Sequence, residues 1–521
     1  MSDFSDSNAV EKDPMTSDTT LVLPHLGEAE KGFQVRIEVV GDPIQDTEVQ
    51  FSAEKEIDPE DDEWLGSPAH PRNWPATKKW TNMAIVSFYT CLPPLTSSMM
   101  APGLQQIGQH FHETNPTIIA MSLSIILLAW VFSPLIIAPL SEMYGRRWLY
   151  HISNLLTLAF SLGCAFAPTM GSLIGFRFLS GIASAAPLAL GGGSVADLFA
   201  EQDRASAMAI YILGPLLGPV IGPVAGGFVV QTIGYKYVFI IIAAISGVLA
   251  VLSIPFMDET YAPVVRMKYD IASGDPEKAR NARRHLGPDV ELGRWKFLWV
   301  NLSRPVILLT HSFICFILNL YMALVCGIYF LMFATFSELF THTYGFDIGT
   351  SGLAYLGLGI GSIIASVFGA RSSDKIYAYY RAKNNGVGKP EMRIPVLIIG
   401  SLFVPVGLLW YGWSADAKIH WIMPIIGTAI YGSGLMTCFL PVTLYLIDAF
   451  TYAASVTSAA TVFRNMLGFT FPLFGSQMYK VLGVGGGNSL LAALAVVIGI
   501  PFPVWIWYKG EELRSRNPLN R

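Results

Sequence analysis

Two constellations stand out among the residues of this chain that could do chemistry. One is the acidic-then-basic run APLSEMYGRRWLY (138–150), which sets Glu142 ahead of Arg146 and Arg147. At a helix end, such a carboxylate can meet the arginine pair or the positive N-terminus of a neighbouring helix. The other is a pair of arginines inside long apolar runs, Arg177 in GFRFLSG and Arg464 in TVFRNMLG. An Arg at mid-membrane costs about 2.5–3.5 kcal/mol on insertion scales, so it normally faces a cavity or a partner. Enzyme chemistry is not expected. No Walker sequence is present, and the glycine-rich GGGSVAD ends an apolar run, so it is not a phosphate loop. His110, His112, His151, His311 and His342 lack metal-ligand spacing, and Cys91, Cys164, Cys315, Cys326 and Cys438 sit in apolar runs without a C-x-x-C pair. No metal, cofactor or nucleic-acid partner is expected.

The elements that must position these residues are membrane helices. Hydrophobic residues make up 52% of the 521 and charged ones 14%, against roughly 25% charged in soluble domains; the mean hydropathy is +0.46. A crossing helix needs about 20 mainly apolar residues. Such runs fall at 80–102, 117–139, 149–167, 172–194, 205–229 and 236–256, then at 305–333, 349–369, 394–413, 420–446, 455–480 and 485–508. The expected architecture is all-α: twelve transmembrane helices in two six-helix bundles, 71–256 and 305–508. A polar loop, 257–304, joins the bundles. An acidic tail, 1–70, is too poor in large apolar residues to bury a core and reads as disordered, and a short tail, 509–521, closes the chain. No signal sequence opens it, so the first span is expected to target it.

Positive charge is retained in the cytoplasm. Arg146, Arg147, Arg204, the basic central loop and the run from Arg371 to Arg393 all fall on one side, whereas the other side holds little beyond Lys236 and Lys418. Both termini are therefore expected in the cytoplasm, and the sequon at Asn301 is expected to stay unmodified. A weaker echo of the first motif, GARSSDKIY (369–377), offers Asp374 and Lys375 in matching roles. Internal repeats of this kind mark transporters built from two related halves.

With these motifs in order, the chain resembles the major facilitator superfamily, and within it the fungal twelve-span drug:proton antiporters. The loop signature is matched by Leu140, Glu142, Gly145, Arg146 and Arg147, with Glu where many relatives have Asp and Ala138 where they have Gly. Arg177 and Gly181 match the span-four signature, and Gly218, Gly222, Pro223, Gly226 and Gly227 complete the span-five signature G-x3-GP-x2-GG. HPRNWP (70–75), DETYAPV (258–264), KPEMRIP (389–395), YGWSADAKIHWIMP (411–424) and LGVGGGNSLL (482–491) are typical of the fungal branch. The resemblance covers about 70–510.

Gly214, Gly218, Gly222 and Gly226 recur every four residues, as do Gly357, Gly361, Ala365 and Gly369 in span eight. Ridges without side chains let membrane helices approach closely. Spans five and eight are therefore expected to pack together through these ridges, across the two halves, with Pro215, Pro219 and Pro223 on the neighbouring strip. The resemblance implies that span five bends at its prolines and closes the cavity during the switch between states; plain close packing is the alternative.

The resemblance also assigns Arg177 to proton coupling or substrate passage, against a structural Arg capping main-chain carbonyls between helices. No carboxylate lies deep in a span. Coupling is left to Glu142, Asp197 and Arg204 at the inner end or to Glu338 at the outer, although residues so placed serve more often as salt-bridge latches holding one conformation than as proton carriers. Cavity-lining candidates are Tyr321, Tyr329, Phe333, Tyr431, Phe439, Arg464 and Asn465, with Ser97 and Met99; aromatics and methionine suit bulky apolar ligands. The implied protein is a monomeric exporter of amphipathic small molecules such as toxins, secondary metabolites or antifungal drugs. It would work by proton antiport through a lipid bilayer, in the plasma or the vacuolar membrane. A proton-coupled importer of a nutrient or polyamine and a transporter-like sensor are the alternatives.

Overall fold

A computed structural model describes residues 36–38, 50–52, 64–273, 309–450 and 453–515. The chain divides into two units at Leu65 and Gly66. In the first, β1 (Arg36–Glu38) pairs antiparallel with β2 (Gln50–Ser52), Ile37 opposite Phe51. The rest of the tail expected to be disordered, as far as residue 63, lies outside the described residues.

The second unit is helical. Its first bundle comprises α1 (Ala76–Ser98), α2 (Pro116–Tyr144), α3 (Arg146–Ala165), α4 (Met170–Leu198), α5 (Glu201–Thr232) and α6 (Lys236–Phe256). The second bundle comprises α7 (Phe313–Tyr344), α8 (Ile348–Lys383), α9 (Ile394–Asp416), α10 (Ile422–Ala449), α11 (453–482) and α12 (484–515). Nine helical stretches among the described residues are long and apolar enough to cross a bilayer. One of these, Val456–Ser515, holds two crossings: Gly483, at φ +71°, turns the chain back so that Tyr479 Oη donates to Asn488 Oδ1 at 3.3 Å. α1 and α3 miss that standard because each opens on polar residues, Lys78, Lys79 and Asn82 in one and Arg146, Arg147, His151 and Asn154 in the other. Both still lie along a full partner, α1 on α5 and α3 on α6.

Local signals set several helix ends. Asn115 Oδ1 accepts from Thr117 N at 3.0 Å with Pro116 at the first turn of α2, and Thr169 with Ser172 forms a capping box at α4. α4 breaks at Ala185, two residues before Pro187, whose ring and missing N–H disrupt the ladder. α7 runs to Tyr344, well past the expected end at 333, because Glu338, Thr341 and His342 are tolerated where a helix reaches water; residues 305–308 of that expected span are not described. α8 likewise continues to Lys383 through the helix-favouring run SSDKIYAYYRAK. The expected central loop begins with a short helix, Ala262–Ala272, and residues 274–308 are not described.

α5 stays helical through Pro215, Pro219 and Pro223. Neighbouring helices re-satisfy the carbonyls that prolines release in a membrane segment. Its glycine ridge, however, meets α1 of its own bundle. A Cβ on Gly214 would stand 2.8 Å from Ser87 O, and one on Gly218 would stand 2.7 Å from Pro94 Cβ; Gly222 and Gly226 face Ser98 Oγ and Met99 O. Ser98 Oγ donates to Gly218 O at 3.2 Å. The ridge on α8 faces α10 in the same way, Gly357 against Ile425 and Gly361 against Ala429 O. α5 and α8 do pack across the halves, but through other residues: Gly227 against Ile348 O, Gly352 against Pro223 O and Gly359 against Val220. Ridge spacing announces a close neighbour without saying which helix it is, so the expected pairing of the two ridges is corrected.

Candidate functional site

The arginine-rich end of the bundles, with Arg146, Arg147, Arg393 and Arg514, is called the basic face here. Hydrogen bonds join the two bundles toward the opposite face and at mid-depth. Near the opposite face, Thr117 Oγ1 donates to Leu473 O at 3.0 Å, Gly349 N donates to Gln231 Oε1 at 2.9 Å, and Gln105 Nε2 lies 3.1 Å from His342 Nε2. At mid-depth Asn465 Nδ2 donates to Trp130 O at 3.4 Å. Behind these links lies a cavity of about 40 Å³ between the bundles. Pro215, Pro219 and Val220 of α5 form one wall, and Tyr329, Tyr355 and Met436 of the second bundle form the other. Tyr329 and Phe333 pack with ring centroids 4.8 Å apart, and Tyr355, its hydroxyl donating to Phe333 O at 2.8 Å, backs them.

On the basic face, each bundle carries a clasp of charges. In the first, Arg146 Nε lies 2.7 Å from Asp197 Oδ2 and Nη1 donates to Leu190 O at 2.8 Å, which ties α3 to the end of α4. The carboxylate of Glu259, buried just beyond α6, accepts from the main-chain N–H of Arg146 (2.8 Å), Arg147 (3.2 Å) and Tyr261 (3.1 Å). It therefore caps α3, where the helix dipole favours an anion. Gly145 permits this at φ +91°, a conformation side chains disfavour, and a Cβ there would collide with the Glu259 carboxylate. Burial pushes the nearby Tyr261 phenol up to about 12, with Glu142 adding to the shift, so it stays protonated. In the second bundle, Arg393 Nε lies 2.8 Å from Asp448 Oδ2 and ties α9 to α10. Arg514 of α12 binds buried Glu391 at 2.8 Å (Nε to Oε1) and 3.1 Å (Nη2 to Oε2).

Arg177 is wholly buried and donates only to main-chain oxygens: Nε to Ser122 O at 3.0 Å, Nη1 to Thr96 O at 2.8 Å and Nη2 to Leu123 O at 3.1 Å. No carboxylate among the described residues pairs with it. The arrangement ties α4 to α1 and α2.

The sequence and the fold match known proteins. The family model for the Major Facilitator Superfamily matches residues 86–472. The chain belongs to the major facilitator superfamily. Among curated relatives of this superfamily, the MFS-type transporter penM of Penicillium rubens is 42% identical, covering 89% of this chain and 91% of its own. The efflux pump radE of Floropilus chiversii is 40% identical over 89% of this chain and 86% of its own. Among solved structures, a D-xylose–proton symporter superposes with a TM-score of 0.62 at 14% identity, covering 82% of this chain and 97% of that one. The protein is thus a multi-pass membrane transporter, not an enzyme.

Within this major facilitator fold, the structure sorts the residues expected from sequence. Tyr329 lines the cavity, and Phe333 packs directly behind it. Asn465 bridges the halves, while Arg464 lies over Phe439, 4.8 Å from its ring centroid. Tyr321 and Tyr431 do not reach the cavity: both are buried inside the second bundle, Tyr321 beside Cys438 and Tyr431 donating to Val325 O at 2.5 Å. Met99 is buried against Gly226, and Ser97 is buried as well. The carboxylate paired with Arg146 is Asp197, and the one capping α3 is Glu259; Glu142 is exposed, and Arg147 donates to Ile254 O at 3.0 Å. Arg204 is half-buried in the first turn of α5. Asp374 and Lys375 are exposed on the extension of α8, so the repeat of the first clasp is Arg393 with Asp448 instead. The sequence alone assigns no site role to Glu259, Glu391, Arg393, Arg514, Tyr355 or Trp130. DETYAPV and KPEMRIP, which hold three of them, were the available signals.

Proposed function

We propose that this transporter is a secondary active exporter of amphipathic organic compounds, working by proton antiport and alternating access. The seam carries the reading: apolar and aromatic surfaces of both bundles meet there around a small central cavity, and links toward one face roof it. Relatives named as efflux pumps support the outward direction. We place the basic face, both termini and the central segment in the cytoplasm, on the distribution of Lys and Arg, and the protein in the plasma membrane as a monomer. On that placement, the links at the opposite face close the cavity to the outside. The Arg146–Asp197 and Arg393–Asp448 clasps, with Glu142, Arg147 and Arg204 beside the first, brace the bundle ends that must rock. Arg177 serves as a tie between helices, and Gly222, Gly226 and Gly218 hold α5 to α1 while Pro223 and Gly227 meet α8.

Inside-out vesicles test the proposal. With the lumen made acidic, a panel of anionic, neutral and cationic amphipaths is offered outside. Accumulation of at least one, abolished when the gradient is collapsed, is expected. Accumulation driven only by the reverse gradient would identify a symporter and end the antiport reading.

A further inference from the structure

The exporter reading leaves one intramembrane charge without a task. Arg464 is half-buried in α11, with Nη2 donating to Thr461 Oγ1 at 3.0 Å and the guanidinium above the Phe439 ring. No carboxylate among the described residues pairs with it, and Asp and Glu are missing from the spans at its depth. That depth follows from the chain. α7 rises from the basic face, so Cys326, which lies within electrostatic reach of Arg464, is one turn nearer that face than Tyr329. α10 returns toward the basic face, so Phe439 is one turn nearer it than Met436. Tyr329 and Met436 line the central cavity. Arg464 therefore sits one turn below the cavity, on the side away from the links that close the opposite face.

The surrounding groups favour an acceptor. The neighbouring Asn465 turns its amide nitrogen to the seam, where it donates to the main-chain oxygen of Trp130; the indole Nε1 of that buried Trp has no hydrogen-bond partner among the described residues. Arg and the Trp indole can only donate. Phe439 lies against the charge itself, and the Tyr329–Phe330 ring pair stands one turn above, at the cavity.

We propose that Arg464 is the recognition residue for an organic anion, and that this transporter's substrates are amphipathic acids. A carboxylate, acidic enol or phenolate would receive the guanidinium fork, while the ring system lies against Phe439 and Tyr329. The direction of movement rests on the exporter reading; the charge preference rests on this geometry alone.

The test uses three ligands that share one ring system: 2-naphthoate, 2-naphthamide and 2-naphthylmethylamine. Titrated calorimetrically into the purified full chain, the carboxylate is expected to bind about tenfold or more tighter than either other, as charge-assisted bidentate pairing implies. Arg464→Gln should bring the three affinities together, and Arg464→Lys should keep part of the preference, because charge survives but the fork does not. Equal binding of acid and amide by the wild-type chain, no binding of any of the three at millimolar concentration, or an undiminished preference in a folded Arg464→Gln chain overturns the proposal. The wild-type ratio decides even if a variant does not fold. In the vesicle assay, movement of the amine and amide but not the acid overturns the anion assignment and leaves the exporter reading standing. Failure of every amphipath in the wider panel to move removes the exporter reading, while the binding ratio still judges Arg464.

Discussion

α5 carries two small-residue faces that look alike in sequence and do different work. Toward α1, Gly214, Gly218, Gly222 and Gly226 rest on main chain and on Ser98, and Ser98 Oγ closes the contact with a hydrogen bond to Gly218 O. Toward α8, Pro223 and Gly227 meet Gly352 and the start of α8, but the same helix also opens onto the cavity at Pro215, Pro219 and Val220. The first face joins two helices of one bundle; the second joins two bundles. Close approach is therefore not the mark of a moving joint. What separates the two is whether the helices that meet belong to the same packed half.

Two substitutions sharpen this contrast, and two more test the charged clasps. Gly226→Leu has the largest expected effect, because its side chain would run into the Met99 carbonyl with no bundle boundary to relax; overpacking of this kind costs about 3 kcal/mol or more. Thermal unfolding of the detergent-purified chain should show a large fall or no folded protein. Gly352→Leu meets the Pro223 carbonyl across the seam, where the halves can part, so stability should fall by about 1 kcal/mol or less. Vesicle transport should nevertheless drop by about tenfold, and disulfide trapping between cysteines placed at Thr117 and Leu473 should weaken. If the two variants lose stability equally, the distinction between the faces is gone.

The clasps supply the smaller effects. Glu259→Gln removes the charge from a buried cap that accepts three main-chain N–H groups, and a loss of about 1–2 kcal/mol is expected in denaturation midpoint. Lys389→Ala deletes an exposed pair with Glu511 at 2.7 Å and should change the same midpoint by about 0.5 kcal/mol or less. A larger loss there than at Glu259 would reverse the ranking of buried over exposed charge. The clasps also differ in polarity. The first uses an acid after α6 to cap α3, whereas the second uses a base at the end of α12 to hold Glu391, just before α9.

Much of the fold was legible because lipid imposes a one-dimensional rule: a crossing must be long, apolar and helical. Arg177 and Arg464 could be picked out on the same ground, since a charge in an apolar run is conspicuous. Partners were not legible in that way. Glu259 lies 113 residues after Arg146, and no local spacing links a carboxylate beyond α6 to the N-terminus of α3. Tyr321 and Tyr431 looked like cavity aromatics because a helix shows its apolar faces in sequence but not which of them points into its own bundle.

What the sequence by itself determined is the number of crossings, their order, the segregation of positive charge and the presence of closely packed helices, because each follows from hydrophobicity or backbone sterics within one segment. Tertiary structure alone decided which helix each glycine ridge touches, which carboxylate answers which arginine, and which aromatics face the seam. Those outcomes depend on the rotation of each helix about its axis. That rotation is set by the simultaneous packing of all its neighbours, which no single stretch of chain contains.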